Sequence, residues 1–178
     1  MLNGAYMARS EQRPCVVCDA GPLIHLHELD SLDLLEDFSA VLVPGQVWDE
    51  VALHRPQALA FAGSWMQKVE GVLATQPAFL ALVQTLALDL GEQAALSLMQ
   101  ERPDAIFLTD DAAARIAANT LGLRVHGTIG ILLRAIRRNQ RQPEEIVGLL
   151  ERLPQRSTLF IRDSLLQEII ARVKRMMG

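Results

Sequence analysis

Five acidic residues stand where an ordinary protein core does not need a carboxylate. Asp19 and the pair Asp110 and Asp111 each follow a short apolar run directly, whereas Glu50 and Glu92 continue apolar stripes with helical spacing. Burying a lone carboxylate is unfavourable by roughly several kcal/mol, so inward-facing acids need a cation beside them. These residues therefore predict either ion pairs with arginine or a metal site.

The composition favours a metal ion. The chain has two lysines, Lys68 and Lys174, and most of its arginines lie in the C-terminal half, so few cations are close in sequence to the acids. Carboxylate oxygens are hard ligands that prefer Mg²⁺ or Mn²⁺, and no His or Cys spacing favours zinc. Helix N-capping is the alternative role for Asp19, Asp110 and Asp111, because Asp is a preferred capping residue.

Strands that alternate with helices must position these acids. The alternation predicts an α/β fold with right-handed crossovers, in which helices cover both faces of a mostly parallel sheet. Ligands of such sheets bind beyond the carboxyl ends of the strands, where Asp19 and the Asp110 and Asp111 pair are expected to meet. Apolar runs predict strands over 15–18, 40–43, 105–108 and 123–126, a mostly helical stretch over 56–90, a short strand over 158–161, and helices over 143–153 and 163–176.

Length and composition indicate one globular domain. The 178 residues are 50% hydrophobic and 21% charged, and no apolar run approaches the roughly 18 to 20 residues of a membrane span. The first fourteen residues lack the apolar region of a signal peptide, so we expect a cytoplasmic protein with no membrane partner. The net charge of −4 argues against non-specific coating of nucleic acid but is compatible with a nuclease. Cys15 and Cys18 are predicted to be reduced thiols on opposite faces of a strand.

Five short motifs together resemble the PIN-domain family, and most closely its toxin-like subgroup of predicted nucleic-acid-binding proteins. They occur in the family's order across about residues 15 to 140. The motifs are Val17-Cys18-Asp19-Ala20-Gly21-Pro22-Leu23-Ile24, Val43-Pro44 with 47–51, Leu90-Gly91-Glu92-Gln93-Ala94, Leu108-Thr109-Asp110-Asp111 with Arg115, and Gly127-Thr128-Ile129-Gly130.

The resemblance implies a three-layer fold with four or five strands and a site of three or four acids that bind Mg²⁺ or Mn²⁺. Asp19, Glu50 and Glu92 match the first three acids, and Asp111 matches the Thr-x-Asp position, with Asp110 as the alternative. Many relatives are ribonuclease toxins that a cognate antitoxin neutralises, and a homodimer is also expected. The predicted divisions are a flexible N-terminus over 1–13, a nuclease core over 14–141, and a helical extension over 142–178 packed on the same domain.

One departure concerns the first motif. Commoner PIN domains carry a hydroxyl residue just after the first Asp, whereas this chain has Ala20 and Gly21. The departure removes one hydrogen bond beside the metal ligands, so it bears on catalytic rate more than on metal binding.

Basic residues supply candidate RNA contacts. Arg134, Arg137 and Arg138, followed by Arg141, form a basic run that either contacts the RNA backbone or is a solvated helix face. Arg115 is a further candidate, or else forms an i,i+4 ion pair with Asp111.

Two rival functions remain open. A phosphoacceptor receiver domain also collects acids at strand ends, but it needs a Lys at a later strand end, where neither lysine is placed. A PIN-like module that has lost activity and binds nucleic acid or protein is the second rival. The four histidines, His25, His27, His54 and His126, show no ligand or catalytic spacing and receive no role.

Overall fold

A five-stranded parallel sheet forms the centre of the molecule. The computed structural model describes residues 13–60, 62 and 64–178, so the predicted flexible N-terminus lies outside it except for Arg13. Every strand pair is parallel, in the order β3-β2-β1-β4-β5, which confirms the predicted α/β fold. The strands are β1 (Cys15–Cys18), β2 (Ala40–Pro44), β3 (Met66–Val69), β4 (Ile106–Leu108) and β5 (Val125–His126).

Helices cover both faces of the sheet, as the three-layer prediction required. Alternate residues of β1 point to opposite faces: Val16 and Cys18 belong to one buried cluster, whereas Val17 belongs to the other and Cys15 packs against it. The helices are α1 (Ala20–Glu28), α2 (Gly45–His54), α3 (Pro77–Leu86), α4 (Leu90–Glu101), α5 (Ala112–Thr120), α6 (Thr128–Arg137), α7 (Pro143–Arg156) and α8 (Asp163–Lys174), with 3₁₀ helices at Leu32–Asp37 and Pro56–Leu59.

Two details of the predicted strands are wrong. The stretch over 56–90 contains β3, which pairs with β2 although Gln67 and Lys68 give it little apolar character. The segment 158–161 pairs with no described strand, and the backbone N–H of Thr158 donates to the Glu28 carboxylate instead. Strand formation depends on an adjacent partner strand, which a local pattern does not reveal.

The two C-terminal helices contribute to the same core as the sheet. Ile146 and Leu150 of α7 and Ile170 and Val173 of α8 are buried in the cluster that contains Val16 of β1. The predicted boundary between residues 141 and 142 stays a prediction. In the described part of the chain, no helix is both long and apolar enough to cross a membrane.

Candidate active site

Asp19 lies where the carboxyl ends of β1 and β4 meet. Its backbone N–H donates to the carbonyl of Leu108 at 2.9 Å, which sets Asp19 beside Thr109. The Asp19 Oδ1 atom accepts a hydrogen bond from the Ala20 N–H at 2.9 Å and caps α1, and Oδ2 accepts one from the Thr109 hydroxyl at 2.8 Å. With 7% of its surface exposed, Asp19 is a buried carboxylate held from two sides.

An open cleft of about 470 Å³ lies at this edge of the sheet. All five predicted acids line it, and the structure adds Asp89 and His25 to them. The first residues of α1 and α5 form part of its floor, and Leu159 and Phe160 line it from the chain between α7 and α8. The topology therefore brings together six carboxylates from separate parts of the sequence: Asp19, Glu50, Asp89, Glu92, Asp110 and Asp111.

Glu92 is oriented by a capping box at the start of α4. Its backbone N–H donates to Asp89 Oδ1 at 2.8 Å, and the Asp89 N–H donates to Glu92 Oε2 at 2.9 Å. Asp89 was not among the predicted site residues, although the Asp-x-x-Glu spacing before an apolar stripe is a recognisable helix-start signal. Because of this reciprocal cap, Glu92 is fixed at the cleft with only 9% of its surface exposed.

Thr109 connects two of the acids. Its hydroxyl donates to Asp19 and accepts a hydrogen bond from the Asp111 N–H at 3.1 Å. Asp111 caps α5 through Oδ1, which accepts from the Ala114 N–H at 2.8 Å, and its carboxyl group is one of those that raise the pKa of Glu92. Thr109 was not predicted as a site residue. Its role depends on the register between β1 and β4, which no local motif specifies.

Asp110 is committed to other partners. Its Oδ1 accepts from the Thr128 N–H at 2.8 Å, and its Oδ2 accepts from the Thr128 hydroxyl at 2.6 Å and lies 2.8 Å from His25 Nδ1. Burial alone would raise the pKa of Asp110, but the hydrogen bonds from His25 and Thr128 outweigh it and lower that pKa. Asp110 thus links β4 to α1 and α6, and Asp111 is the member of the pair that faces Glu92. His25, which received no role from the sequence, is the partner of this carboxylate.

Glu50 differs from the expectation of a buried side chain. It lines the cleft from α2 but is exposed, so the apolar stripe on which it was placed does not carry it inward. Partial burial and the nearby charge of Asp89 raise the pKa of Glu50. The position of Glu50 on the open side leaves its carboxylate accessible from solvent.

The cleft concentrates acidic side chains, and no Lys or Arg of the described residues balances them. Burial raises the pKa of Asp19 to about 6, opposed by hydrogen bonds from Thr109 and Ala20 and reinforced by the charges of Asp89 and Glu50. Burial, with Asp89 and Asp111 nearby, raises the pKa of Glu92 to about 8. Within the described chain, no Lys or Arg lies within salt-bridge distance of these two acids, of Glu50 or of Asp89 and Asp111.

The donor chemistry of the cleft fits Mg²⁺ or Mn²⁺, which prefer carboxylate oxygens. The raised pKa values of Asp19 and Glu92 are the structural observation behind this fit, since a bound cation would stabilise their ionised forms. The ligand shell is not preassembled: in the part of the chain that the structure describes, no group of three or more His, Cys, Asp or Glu residues is arranged to hold a metal ion.

The basic run of α6 forms ion pairs away from the cleft. Arg134 and Arg138 both contact the Asp37 carboxylate, and Arg141 donates to Asp33 at 2.6 Å. Arg134 also lies 4.4 Å from the centre of the Phe38 ring, and 15% of its side chain is exposed. The interpretation of a solvated helix face is therefore wrong for Arg134.

The other two arginines differ from this group. Arg137 is exposed on the same helix. Arg115 donates to the carbonyl of Thr109 at 2.8 Å and forms no ion pair with Asp111, so the predicted i,i+4 pair is wrong. Contacts of Arg115, Arg134, Arg137 and Arg138 with RNA stay a prediction.

Comparison with known proteins places this geometry in a family. A family model described as a PIN domain matches residues 15–175, a range that includes every strand, the acidic cleft, and the helices α7 and α8. A search of curated proteins finds no match to the chain.

Proposed function

The chain belongs to the PIN-domain family, whose fold is nuclease-like, and we propose that it is a Mg²⁺- or Mn²⁺-dependent endoribonuclease that hydrolyses RNA phosphodiester bonds. One observation carries the proposal. Six carboxylates line a single cleft at the carboxyl edge of the sheet, and none of them has a Lys or Arg partner among the described residues; Asp110 pairs instead with His25. Negative charge that the fold leaves unbalanced is suited to a divalent cation and, through it, to a phosphate group.

Asp19, Glu92 and Asp111 would hold the metal, with Glu50 and Asp89 beside them. When bound, the ion supplies Lewis-acid polarisation of the phosphate and a more acidic water molecule. The chain's own part is to keep these oxygens in place. The Thr109 hydroxyl restrains Asp19, and the capping box restrains Glu92.

The helix ends at the cleft assist substrate binding. Both α1 and α5 begin there, and Ala20, Gly21 and Ala112 line the cleft. The partial positive charge at a helix N-terminus favours an anionic phosphate. Because Ala20 and Gly21 are small residues, they leave room for the substrate backbone at the start of α1. This is consistent with a cleft that is open to a polymer.

We extend the proposal to the biological role: a cytoplasmic toxin that a cognate antitoxin neutralises, acting as a homodimer. The support is the resemblance of the motif set to the toxin-like subgroup of the family. Of the candidate RNA contacts, Arg137 is best placed to reach a ligand, since Arg134, Arg138 and Arg115 are engaged with groups of the chain itself.

The decisive experiment incubates the full chain with single-stranded and structured RNA in Mg²⁺, in Mn²⁺ and in EDTA. Cleavage is expected with the metals and not in EDTA. Glu92→Gln should abolish cleavage, whereas Glu101→Gln, a matched change on the same helix outside the cleft, should leave it intact. Metal-independent cleavage, or full activity of Glu92→Gln, would refute the proposal.

An inactive binding module is the second candidate, favoured by the lack of a preassembled ligand shell in the described residues and by Ala20 beside Asp19. RNA binding without cleavage in either metal would support it. The receiver-domain alternative is wrong: the family is the PIN domain, and both lysines are paired elsewhere, Lys68 with Asp49 and Glu70 and Lys174 with Glu151.

A further inference from the structure

Phe160 is an exposed aromatic residue that lines the acidic cleft. Its exposed fraction is 88%, and it shares the cleft with Asp19 and Glu92. In the described ranges no other Phe or Trp side chain is exposed. Phe38, Phe79 and Phe107 are buried, and Trp48 and Trp65 are partly buried and pack against the core.

The chain around Phe160 holds it in this exposed position. Leu159 and Ile161 on either side pack against the core, whereas Phe160 between them is exposed. Just before them, the Glu28 carboxylate accepts hydrogen bonds from the Ser157 hydroxyl at 3.0 Å and the Thr158 N–H at 2.7 Å. The ring is thus presented by an anchored segment, so its exposure is a built feature of the site.

The position of the ring indicates what it contacts. If the carboxylates act on a phosphodiester, the base attached to a neighbouring nucleotide comes within reach of the cleft wall that Phe160 forms. An aromatic face stacks on any nucleobase and is tolerant of sequence, but the base must first be free of its own helix. A flat, apolar ring without a polar atom suits this contact.

We propose that Phe160 is a stacking platform for an unpaired base next to the scissile phosphate, and that it gives the enzyme a preference for single-stranded over duplex RNA. The inference rests on the proposed nuclease function, because it takes the carboxylate cleft as the position of the phosphate. A protein partner or a second copy of the chain would also use an exposed Phe. The shared cleft with Asp19 and Glu92 favours the nucleic acid.

The test compares Phe160→Leu, which keeps apolar bulk but removes the ring, with Phe160→Trp, which keeps a stacking face. Val72→Ala is the matched control, since Val72 is 81% exposed and lies outside the cleft. Stacking on an aromatic residue predicts that Phe160→Leu raises the KM for an unpaired oligoribonucleotide by about 5- to 100-fold with kcat nearly unchanged. Phe160→Trp and Val72→Ala should stay within about threefold of wild type, and cleavage of the matching duplex should be weak in all of them.

A second readout detects stacking without cleavage. An oligoribonucleotide with 2-aminopurine at successive positions, titrated in EDTA, should lose fluorescence at one position with wild type and Phe160→Trp but not with Phe160→Leu. If wild type cleaves RNA and Phe160→Leu has the same KM and quenching, the inference is wrong while the nuclease proposal stands. Quenching without cleavage in either metal supports the stacking role and refutes the nuclease. Unchanged RNA binding with loss of a dimer in Phe160→Leu would assign the ring to contact between copies and overturn the inference.

Discussion

Two groups of acidic residues in this protein meet opposite electrostatic surroundings. Asp37, in the 3₁₀ helix before β2, lies between the guanidinium groups of Arg134 and Arg138, and its side chain is 11% exposed. Burial acts to raise the pKa of Asp37, but the hydrogen bonds and charges of the two arginines outweigh it and lower that pKa. At the cleft, Asp19 and Glu92 are more deeply buried than Asp37, lack such partners among the described residues, and have raised pKa values.

The contrast separates acids that a cation balances from acids that lack one. A partly buried carboxylate between two arginines joins α6 to the 3₁₀ helix, and the loss of either partner leaves an unbalanced charge. A buried carboxylate without a cation weakens the folded state at neutral pH, and such groups persist where function needs them. Loss of solvent acts to raise the pKa of all three carboxyl groups, to different extents, and only at Asp37 do nearby cations reverse that effect.

The largest expected effect is on catalysis. Asp19→Asn should lower the rate of RNA cleavage in Mg²⁺ by at least about 100-fold, because the metal loses a charged ligand. Asp37→Asn makes the same chemical change in the paired group and should keep the rate of the folded protein within about threefold. Initial rates at equal concentrations of folded protein give the comparison. Equal losses in the two variants would remove the distinction between the groups.

The next effect is on stability. Asp37→Asn should lower the free energy of unfolding by about 2 to 4 kcal/mol, because Arg134 and Arg138 would keep their charges without a carboxylate. Urea unfolding at pH 7 measures the change. A loss below about 0.5 kcal/mol would mean that solvent screens this group as it does an exposed ion pair.

The pH dependence of stability should have opposite signs at Asp19 and Asp37, because the pKa of Asp19 is raised and that of Asp37 is lowered. The folded-state pKa of Asp19 is raised from 3.8 to about 6, so the folded protein binds this proton more tightly than the unfolded chain does. The stability of wild type relative to Asp19→Asn should therefore fall as pH rises from about 4 to about 6, by about 2 to 3 kcal/mol in total.

Urea titrations in EDTA across this pH range check that prediction. Above about pH 7 the difference between the two proteins should approach a constant value, because Asp19 is then mostly ionised in both the folded and unfolded states. Asp19→Asn should be the more stable protein at pH 7. A constant difference throughout, or one that favours wild type as pH rises, would contradict the raised pKa.

A divalent ion should offset part of this charge. Mg²⁺ or Mn²⁺ at about ten times its dissociation constant should stabilise wild type by about 1 to 2 kcal/mol, which thermal unfolding would detect as a rise of a few degrees. Asp37→Asn should respond equally, and Asp19→Asn should respond less. An equal response of all three proteins would place metal binding outside the cleft.

The smallest effect on stability should come from the Arg141–Asp33 ion pair, which is more exposed than the contacts of Asp37. The Arg141 and Asp33 side chains are 26% and 45% exposed, so solvent screens their attraction. Arg141→Met should change the free energy of unfolding by less than about 1 kcal/mol and leave cleavage intact. Unfolding and cleavage assays on Arg141→Met and Asp37→Asn show whether a more buried ion pair contributes more to stability. A loss of unfolding free energy as large as that of Asp37→Asn would show that it does not.

Most strands could be predicted because their signal is local. The apolar run of β1 between Pro14 and Asp19 indicates a buried strand on its own, and β2, β4 and β5 have similar limits in the sequence. β3 could not be recognised in the same way. Its residues Gln67 and Lys68 are exposed, and its strand conformation depends on pairing with β2.

The residues of the site can likewise be divided into those with a local sequence signal and those whose position depends on distant contacts. The ends of β1 and β4 predicted that Asp19 and Asp111 would meet, and the capping spacing at Asp89 was readable though overlooked. The arrangement of Thr109 and the choice between Asp110 and Asp111 required the register of β1 against β4 and the contact with His25, which lies 85 residues before Asp110. Side-chain partners that far apart leave no periodic signal in the sequence.

By itself, the sequence determined the parallel α/β architecture and the candidate acids of the cleft, because apolar periodicity and strand-end acids are local properties of the chain. Only the tertiary structure decided which acids would have a cation. Asp37 contacts Arg134, which lies 97 residues later in the sequence, and the cleft acids contact no Lys or Arg among the residues described. Charge compensation acts through space over a few ångströms, so the fold alone determines whether a carboxylate stabilises the protein or remains available for chemistry.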